Sequence, residues 1–225
     1  MKRVVLSQRV DQCPDRDESR DALDLRLTDF LLAAGCLPFP VPNRLVDSNP
    51  ADALDRWIAA VRPEALVLSG GNDIGLHLER DRTERHLLAA AEAGAWPVLG
   101  ICRGMQMIGV HAGAALCEAP GHRRVRHRLL GAAADTMERE TNSFHAFSLA
   151  SCPQGFEVLA RSGDGQIEAI RHRARRWEGW MWHPEREARF DPRDLARLRA
   201  LFGTAQGADA VPGSRPARAP GELTA

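Results

Sequence analysis

The chain has no tyrosine, and Lys2 is the only lysine among its thirty Lys+Arg. That bias reflects base composition and carries no functional weight. It also lacks an excess charge of either sign, since thirty Asp+Glu offset the thirty cations. A protein that coats nucleic acid or an anionic membrane needs a basic surplus, so neither partner is expected. Long apolar runs are missing too. The longest, Phe30 to Val41, is broken by Gly35, Pro38 and Pro40 and is far short of a membrane span. The N-terminal apolar run, Val4 to Leu6, is too short for a secretion signal. Five cysteines, at 13, 36, 102, 117 and 152, form an odd set with no Cys-x-x-Cys spacing. This argues against a disulfide framework or zinc knuckle and for a reduced, cytoplasmic setting.

What is present is ordinary globular composition: 225 residues, 44% hydrophobic and 27% charged. One α/β domain over residues 1–202 fits that length. Residues 203–225 hold Gly, Ala, Pro, Ser and Thr with hardly an apolar anchor and are expected to be disordered. The apolar pattern predicts a strand at Val4–Leu6 and a helix from about Ser19 to Ala34. An edge-type strand is expected at Leu37–Val41 and a helix at Pro50–Val61. Strands at Ala65–Leu68 and Pro97–Ile101 flank a helix at Arg82–Ala93, and a helix starts near Met105. Strand and helix in this alternation indicate a mostly parallel sheet with helices on both faces. Four short strands, around 147–149, 157–159, 167–170 and 179–182, are expected to be partly antiparallel. A last helix covers Pro192–Phe202.

The most informative segment is Val98-Leu-Gly-Ile-Cys-Arg-Gly-Met-Gln106. A buried strand ends at Ile101, Cys102 occupies the turn, and Gly104 permits a tight start to the next helix. This is the cysteine form of a nucleophile elbow. A helix N-terminus offers free N–H groups and partial positive charge, which favour a thiolate. The Arg103 N–H then points where an oxyanion would form. A lone cysteine is usually a small buried hydrophobe, and the Gly-x-Cys-x-Gly spacing is what shifts the reading. His183 in Trp182-His-Pro-Glu185 is the candidate base, with Glu185 able to accept from its second ring nitrogen. On its own that segment would read as a surface turn. Ser69-Gly-Gly-Asn-Asp73 places adjacent glycines after a strand, suited to donating a second oxyanion N–H. It lacks the Gly-Lys-Ser/Thr ending of a phosphate loop.

Together with Asn142-Ser-Phe-His145, these segments resemble the class I glutamine amidotransferase superfamily, in its stand-alone γ-glutamyl hydrolase branch. The likeness runs from about residue 3 to 202. It implies a flavodoxin-like three-layer α/β sandwich and a catalytic Cys102, His183 and Glu185, with an oxyanion hole at Gly71 and Arg103. It further implies that Gly70, Gln106, Asn142, Ser143, Phe144 and His145 contact the glutamyl group. The implied reaction is hydrolysis of a γ-glutamyl amide through a thioester on cysteine, without cofactor.

Ser7-Gln-Arg9, Asn142–His145 and Met181–Glu187 are most similar to the γ-glutamyl-CDP-amidate hydrolases, which release cytidine diphosphoramidate for capsule modification. γ-Glutamyl-GABA hydrolases are a second possibility, although the stretch from Asp73 to Cys102 is short for them. A glutaminase component feeding a separate synthetase and a catalytically silent binding module are the other readings. The expected partner is a small γ-glutamyl substrate, nucleotide-bearing in the first case, and a homodimer is left open. Gly121–Arg128 packs four Arg and two His into an expected loop. Arg124 and Arg126 there could grip a pyrophosphate, while a solvated basic loop is an equally good reading. A metal at His122 and His127 is not expected, because no carboxylate or thiolate joins them in sequence.

Overall fold

The computed structural model describes residues 1–48, 52–131 and 139–204. Strands β1 (Lys2–Leu6), β4 (Cys36–Pro40), β5 (Ala65–Leu68), β6 (Val98–Ile101) and β13 (Trp177–Trp180) lie parallel. Their spatial order is β4-β1-β5-β6-β13. Every residue of β5 and β6 is buried, as befits central strands covered on both faces. β4 carries Pro38 and Pro40 and sits at the edge of the sheet, where missing ladder donors are tolerated. Beyond β13 the same sheet continues antiparallel through β12 (Ile167–His172), β11 (Phe156–Ser162), β8 (Arg123–Gly131) and β9 (Arg139–Phe144). β7 (Leu116–Glu118) and β10 (Phe147–Leu149) form a separate antiparallel pair.

Helices α1 (Leu25–Ala33), α2 (Ala53–Val61), α3 (Leu78–Ala93), α4 (Arg103–His111) and α5 (Pro192–Phe202) flank the sheet, giving the expected α/β sandwich. The helix ends follow from local chemistry. Asp24 caps α1 by accepting from the Arg26 N–H at 3.0 Å. Asp191 caps α5 in the same way at 2.8 Å, with Pro192 in the first turn and Gly203 closing the helix at φ +65°.

Three expectations need correction. The helix expected from Ser19 begins only at Leu25. Residues 18–22 instead form β3 (Glu18–Ala22), paired with β2 (Arg9–Cys13) in an exposed, largely polar hairpin. The Gly121–Arg128 segment is not a loop: from Arg123 it is strand β8. His127 and Leu129 turn inward while Arg126, Arg128 and Leu130 point out. A bulge at Arg124, whose φ is +56°, breaks its ladder with β9. Finally, Thr204 still belongs to the fold, since its hydroxyl donates to the Ala34 carbonyl at 2.8 Å. The rest of the tail expected to be disordered, 205–225, and the start of the expected helix at Pro50 lie outside the described residues.

Candidate active site

β5, β6 and β13 are neighbours in the sheet, and each runs into one of the candidate segments at its C-terminal end. Ligand sites of open α/β sheets gather at this edge. Cys102, directly after β6, has φ +51° and ψ −107°, a conformation that L-residues avoid. The strain is held from both sides. The Cys102 N–H donates to the Trp180 carbonyl at 2.7 Å, and its own carbonyl accepts from the Gln106 N–H at 3.1 Å. The flanking glycines follow from packing. A Cβ on Gly104 would lie 2.1 Å from the Leu68 carbonyl oxygen, and one on Gly100 would lie 2.5 Å from the Gly104 backbone. Only with both bare can α4 approach β5 and β6 closely enough to form the elbow.

His183 follows β13 and is buried, with Nδ1 2.6 Å from Glu185 Oε1. Burial disfavours its charged form. The Cys102 charge and the Glu185 carboxylate outweigh that cost and raise the imidazole from 6.5 to about 9. With Nδ1 committed to Glu185, Nε2 is left for sulfur. Gly70 makes room for the ring, since a Cβ there would sit 2.5 Å from His183 Cε1.

A cavity of about 300 Å³ brings together Cys102, Arg103, Gly71, Gln106, Phe144, His145 and His183. Arg123, Arg124 and Arg186 also line it. Phe144 is partly exposed and meets the His183 ring edge-on at 5.7 Å. Gln106 lies in the wall and donates from Nε2 to the Phe147 carbonyl at 2.8 Å.

The other expected site residues are placed differently. Asn142 clamps the His183 backbone: it donates to the His183 carbonyl at 2.8 Å and accepts from the His183 N–H at 2.9 Å. Ser143 is fully buried and donates to the His122 carbonyl. Arg126 is not brought to this cavity. It reaches Glu187 at 2.9 Å and lines a different depression with Arg139 and Asp191.

Sequence reasoning overlooked the support beneath the glycine turn. Arg80, fully buried on α3, donates to the carbonyls of Ser69 (2.8 Å), Gly70 (3.1 Å) and Gly71 (2.8 Å). Its Nε donates to Glu84 at 3.0 Å, and Glu84 also accepts from Ser7 at 2.8 Å. Arg103 is paired with Asp81 and Glu84. Burial pulls Arg80 down to about 10 and Arg103 to about 9, still cationic at neutral pH. The i, i+4 spacing of Arg80 and Glu84 was readable in the sequence, but it looks the same as a surface ion pair.

The case against a metal also changes in three dimensions. Glu168, remote in sequence and fully buried, lies 3.4 Å from both His122 and His127 and 3.3 Å from His145. A carboxylate therefore does join them.

The class I glutamine amidotransferase family matches residues 40–199. This chain belongs to that family. It is 32% identical over 133 residues to a γ-glutamyl-CDP-amidate hydrolase of Campylobacter jejuni, covering 55% of this chain and 63% of that one. It is 34% identical over 140 residues to a GMP synthase of Leifsonia xyli, covering 57% and 27%. With the pyocyanine-specific anthranilate synthase component 2 of Pseudomonas aeruginosa it shares 34% over 152 residues, covering 62% and 70%. The chain thus spans less than two thirds of the first two relatives. A solved protein from Thermoplasma acidophilum, described as one component of a GMP synthase, superposes with TM-score 0.67 at 20% identity, covering 91% of this chain and 94% of that one. A Thermotoga maritima glutamine amidotransferase gives 0.59 at 15%, covering 90% and 82%. These likenesses establish the α/β fold. Among the described residues, no helix is long and apolar enough to cross a membrane.

Proposed function

We propose that the chain hydrolyses a γ-glutamyl amide through a thioester on Cys102. The observation that carries the reading is the strained cysteine at the elbow sharing a cavity with a His183 that Glu185 holds at 2.6 Å. The Cys102 thiolate attacks the γ-carbonyl carbon, and the carbonyl electrons move onto oxygen, facing the backbone N–H groups of Gly71 and Arg103. As the tetrahedral species collapses, the imidazolium of His183 gives its proton to the departing nitrogen. A γ-glutamyl thioester remains. Neutral His183 then takes a proton from water, the resulting hydroxide attacks the thioester, and glutamate leaves as the thiolate re-forms. Glu185 keeps the ring oriented and stabilises its charged form.

For the leaving group, the reading is γ-glutamyl-CDP-amidate, yielding cytidine diphosphoramidate. Besides Arg103, which pairs with Asp81 and Glu84, three arginines, Arg123, Arg124 and Arg186, line the cavity beside Cys102, and guanidinium forks suit pyrophosphate oxygens. The similarity to the Campylobacter hydrolase supports the same choice. A second reading, a glutaminase that supplies ammonia to a partner synthetase, is favoured by the GMP synthase and anthranilate synthase relatives.

The test is glutamate release from γ-glutamyl-CDP-amidate, γ-glutamyl-GABA and glutamine. The amidate is expected to turn over fastest, with a loss of about 10³-fold or more in Cys102→Ala. If no substrate is cleaved faster than by that variant, the hydrolase reading fails. Slow glutamine turnover that rises sharply with an added synthetase would select the second reading.

A further inference from the structure

The mechanism leaves unused a buried group of four side chains under the wall of the Cys102 cavity. His122 precedes β8, His127 lies within it, His145 follows β9, and Glu168 belongs to β12. His122, His145 and Glu168 are all at least nine-tenths buried. One ligand atom from each of these three lies within 4.8 Å of the others. Five of the polar atoms that converge there have no hydrogen-bond partner: His122 Nδ1, His127 Nε2, His145 Nε2 and both Glu168 oxygens.

The outer nitrogens fix which faces of the rings point inward. His145 Nδ1 is 3.0 Å from the Phe147 carbonyl oxygen, which can only accept, so Nδ1 carries the proton. His122 Nε2 is 3.0 Å from Asp164 Oδ2 and donates to it. The inward nitrogens of His122 and His145 therefore face the Glu168 carboxylate, and a positive charge between them, a proton or a metal ion, is needed to hold the three together.

A charge-assisted N–H···O bond is about 2.7–2.9 Å long, and His183 with Glu185 comes close to that at 2.6 Å. The His–Glu168 separations are 3.3, 3.4 and 3.4 Å. A tetrahedral zinc ion with bonds of about 2.0–2.1 Å separates its ligand atoms by about 3.3–3.4 Å, so the His–Glu168 pairs match, while the three ligand atoms together, within 4.8 Å of one another, would draw in around the ion. The outer bonds, imidazole to carboxylate and imidazole to backbone carbonyl, are the ones that orient metal-ligating histidines. Imidazole-rich donors select zinc-class ions over calcium or magnesium.

We propose that His122 Nδ1, His145 Nε2 and Glu168 Oε1, with His127 Nε2 beside the second carboxylate oxygen, bind one zinc-class divalent ion. The ion ties the start of β8 and the end of β9 to β12 and so braces His145 in the cavity wall. This role is structural and does not depend on which amide the enzyme cleaves.

The test uses the full chain carrying Cys102→Ala, so that the elbow thiolate cannot supply the site. Titration with Co²⁺, followed by visible absorption, should give one ion per chain with the intense bands of four-coordinate cobalt. Zn²⁺ should displace it and raise Tm by several degrees. His122→Gln and Glu168→Gln should weaken Co²⁺ binding by about 100-fold or more, and Asp164→Asn by about 10-fold. If Glu168→Gln does not fold, His122→Gln and Asp164→Asn, altered at the margin of the cluster, carry the comparison. Failure of the Cys102→Ala chain to bind Co²⁺ or Zn²⁺, or bands unchanged by His122→Gln, would overturn the proposal. The cluster would then be a proton-bridged network.

Discussion

At Cys102 the backbone is held at φ +51° by two hydrogen bonds and two glycines, and Cys102 is one of the influences that raise the His183 imidazole. That coupling gives a signed pH dependence. His183 stays protonated up to about 9 because of Cys102 and Glu185, despite its burial. The acceleration of leaving-group departure by this proton therefore persists through neutral pH and is lost as pH rises through that value. Removing the Glu185 charge removes one of the raising influences. In Glu185→Gln the alkaline limb of kcat/KM should move to lower pH, and kcat should fall by about 10²–10⁴-fold. A full pH–rate profile of both proteins checks this, and an unmoved limb would show that Glu185 does not govern the imidazole. The same shift acts on folding. The charge on His183 contributes stability that is fully present below its ordinary 6.5 and disappears as pH rises through about 9.

Among the elements, the junction of β5 with α3 shows how a loop is made rigid without contacts of its own. Arg80 gathers three successive carbonyls of the glycine turn, while the Ser69 N–H at its start donates to Ser7 Oγ at 2.9 Å. Arg80→Met keeps much of the volume but strips those carbonyls of their donor and leaves Glu84 with less positive charge. A loss of about 3 kcal/mol in denaturant unfolding is expected, together with a lower kcat at nearly constant KM. Elements of this kind also mark where sequence reasoning stops. β5, β6, α4 and the turns that follow β6 and β13 were legible because continuous apolar runs end abruptly in glycine or proline. The β2–β3 hairpin was not, because a polar, exposed ribbon has no apolar alternation to read. β8 was hidden by arginines on its outward face, and only His127 and Leu129 betray its period of two. The resemblance implies Asn142 and Ser143 as ligand residues, and their side chains support the His183 backbone and the start of β8. The approach of Glu168 to three histidines depends on strand order alone, which no local pattern encodes.

For the whole molecule, the parallel half of the sheet carries the proposed reacting groups, and β8 and β9 of the antiparallel half line the cavity beside them. Arg124 reaches that wall only because the bulge at φ +56° re-aims it, whereas Arg126 turns away to Glu187. Arg124→Ala should therefore raise KM for a nucleotide-bearing substrate about 10-fold more than for glutamine, and Arg126→Ala should not discriminate. Equal effects of the two substitutions would remove the bulge from recognition. The most direct measurement of the covalent step is peptide-resolved mass spectrometry after treatment with a diazoketone mimic of glutamine. One adduct per chain, carried by Cys102, suppressed by substrate and absent in Cys102→Ala, is expected. An unmodified Cys102 in folded protein, with label only on the exposed Cys152, would contradict it.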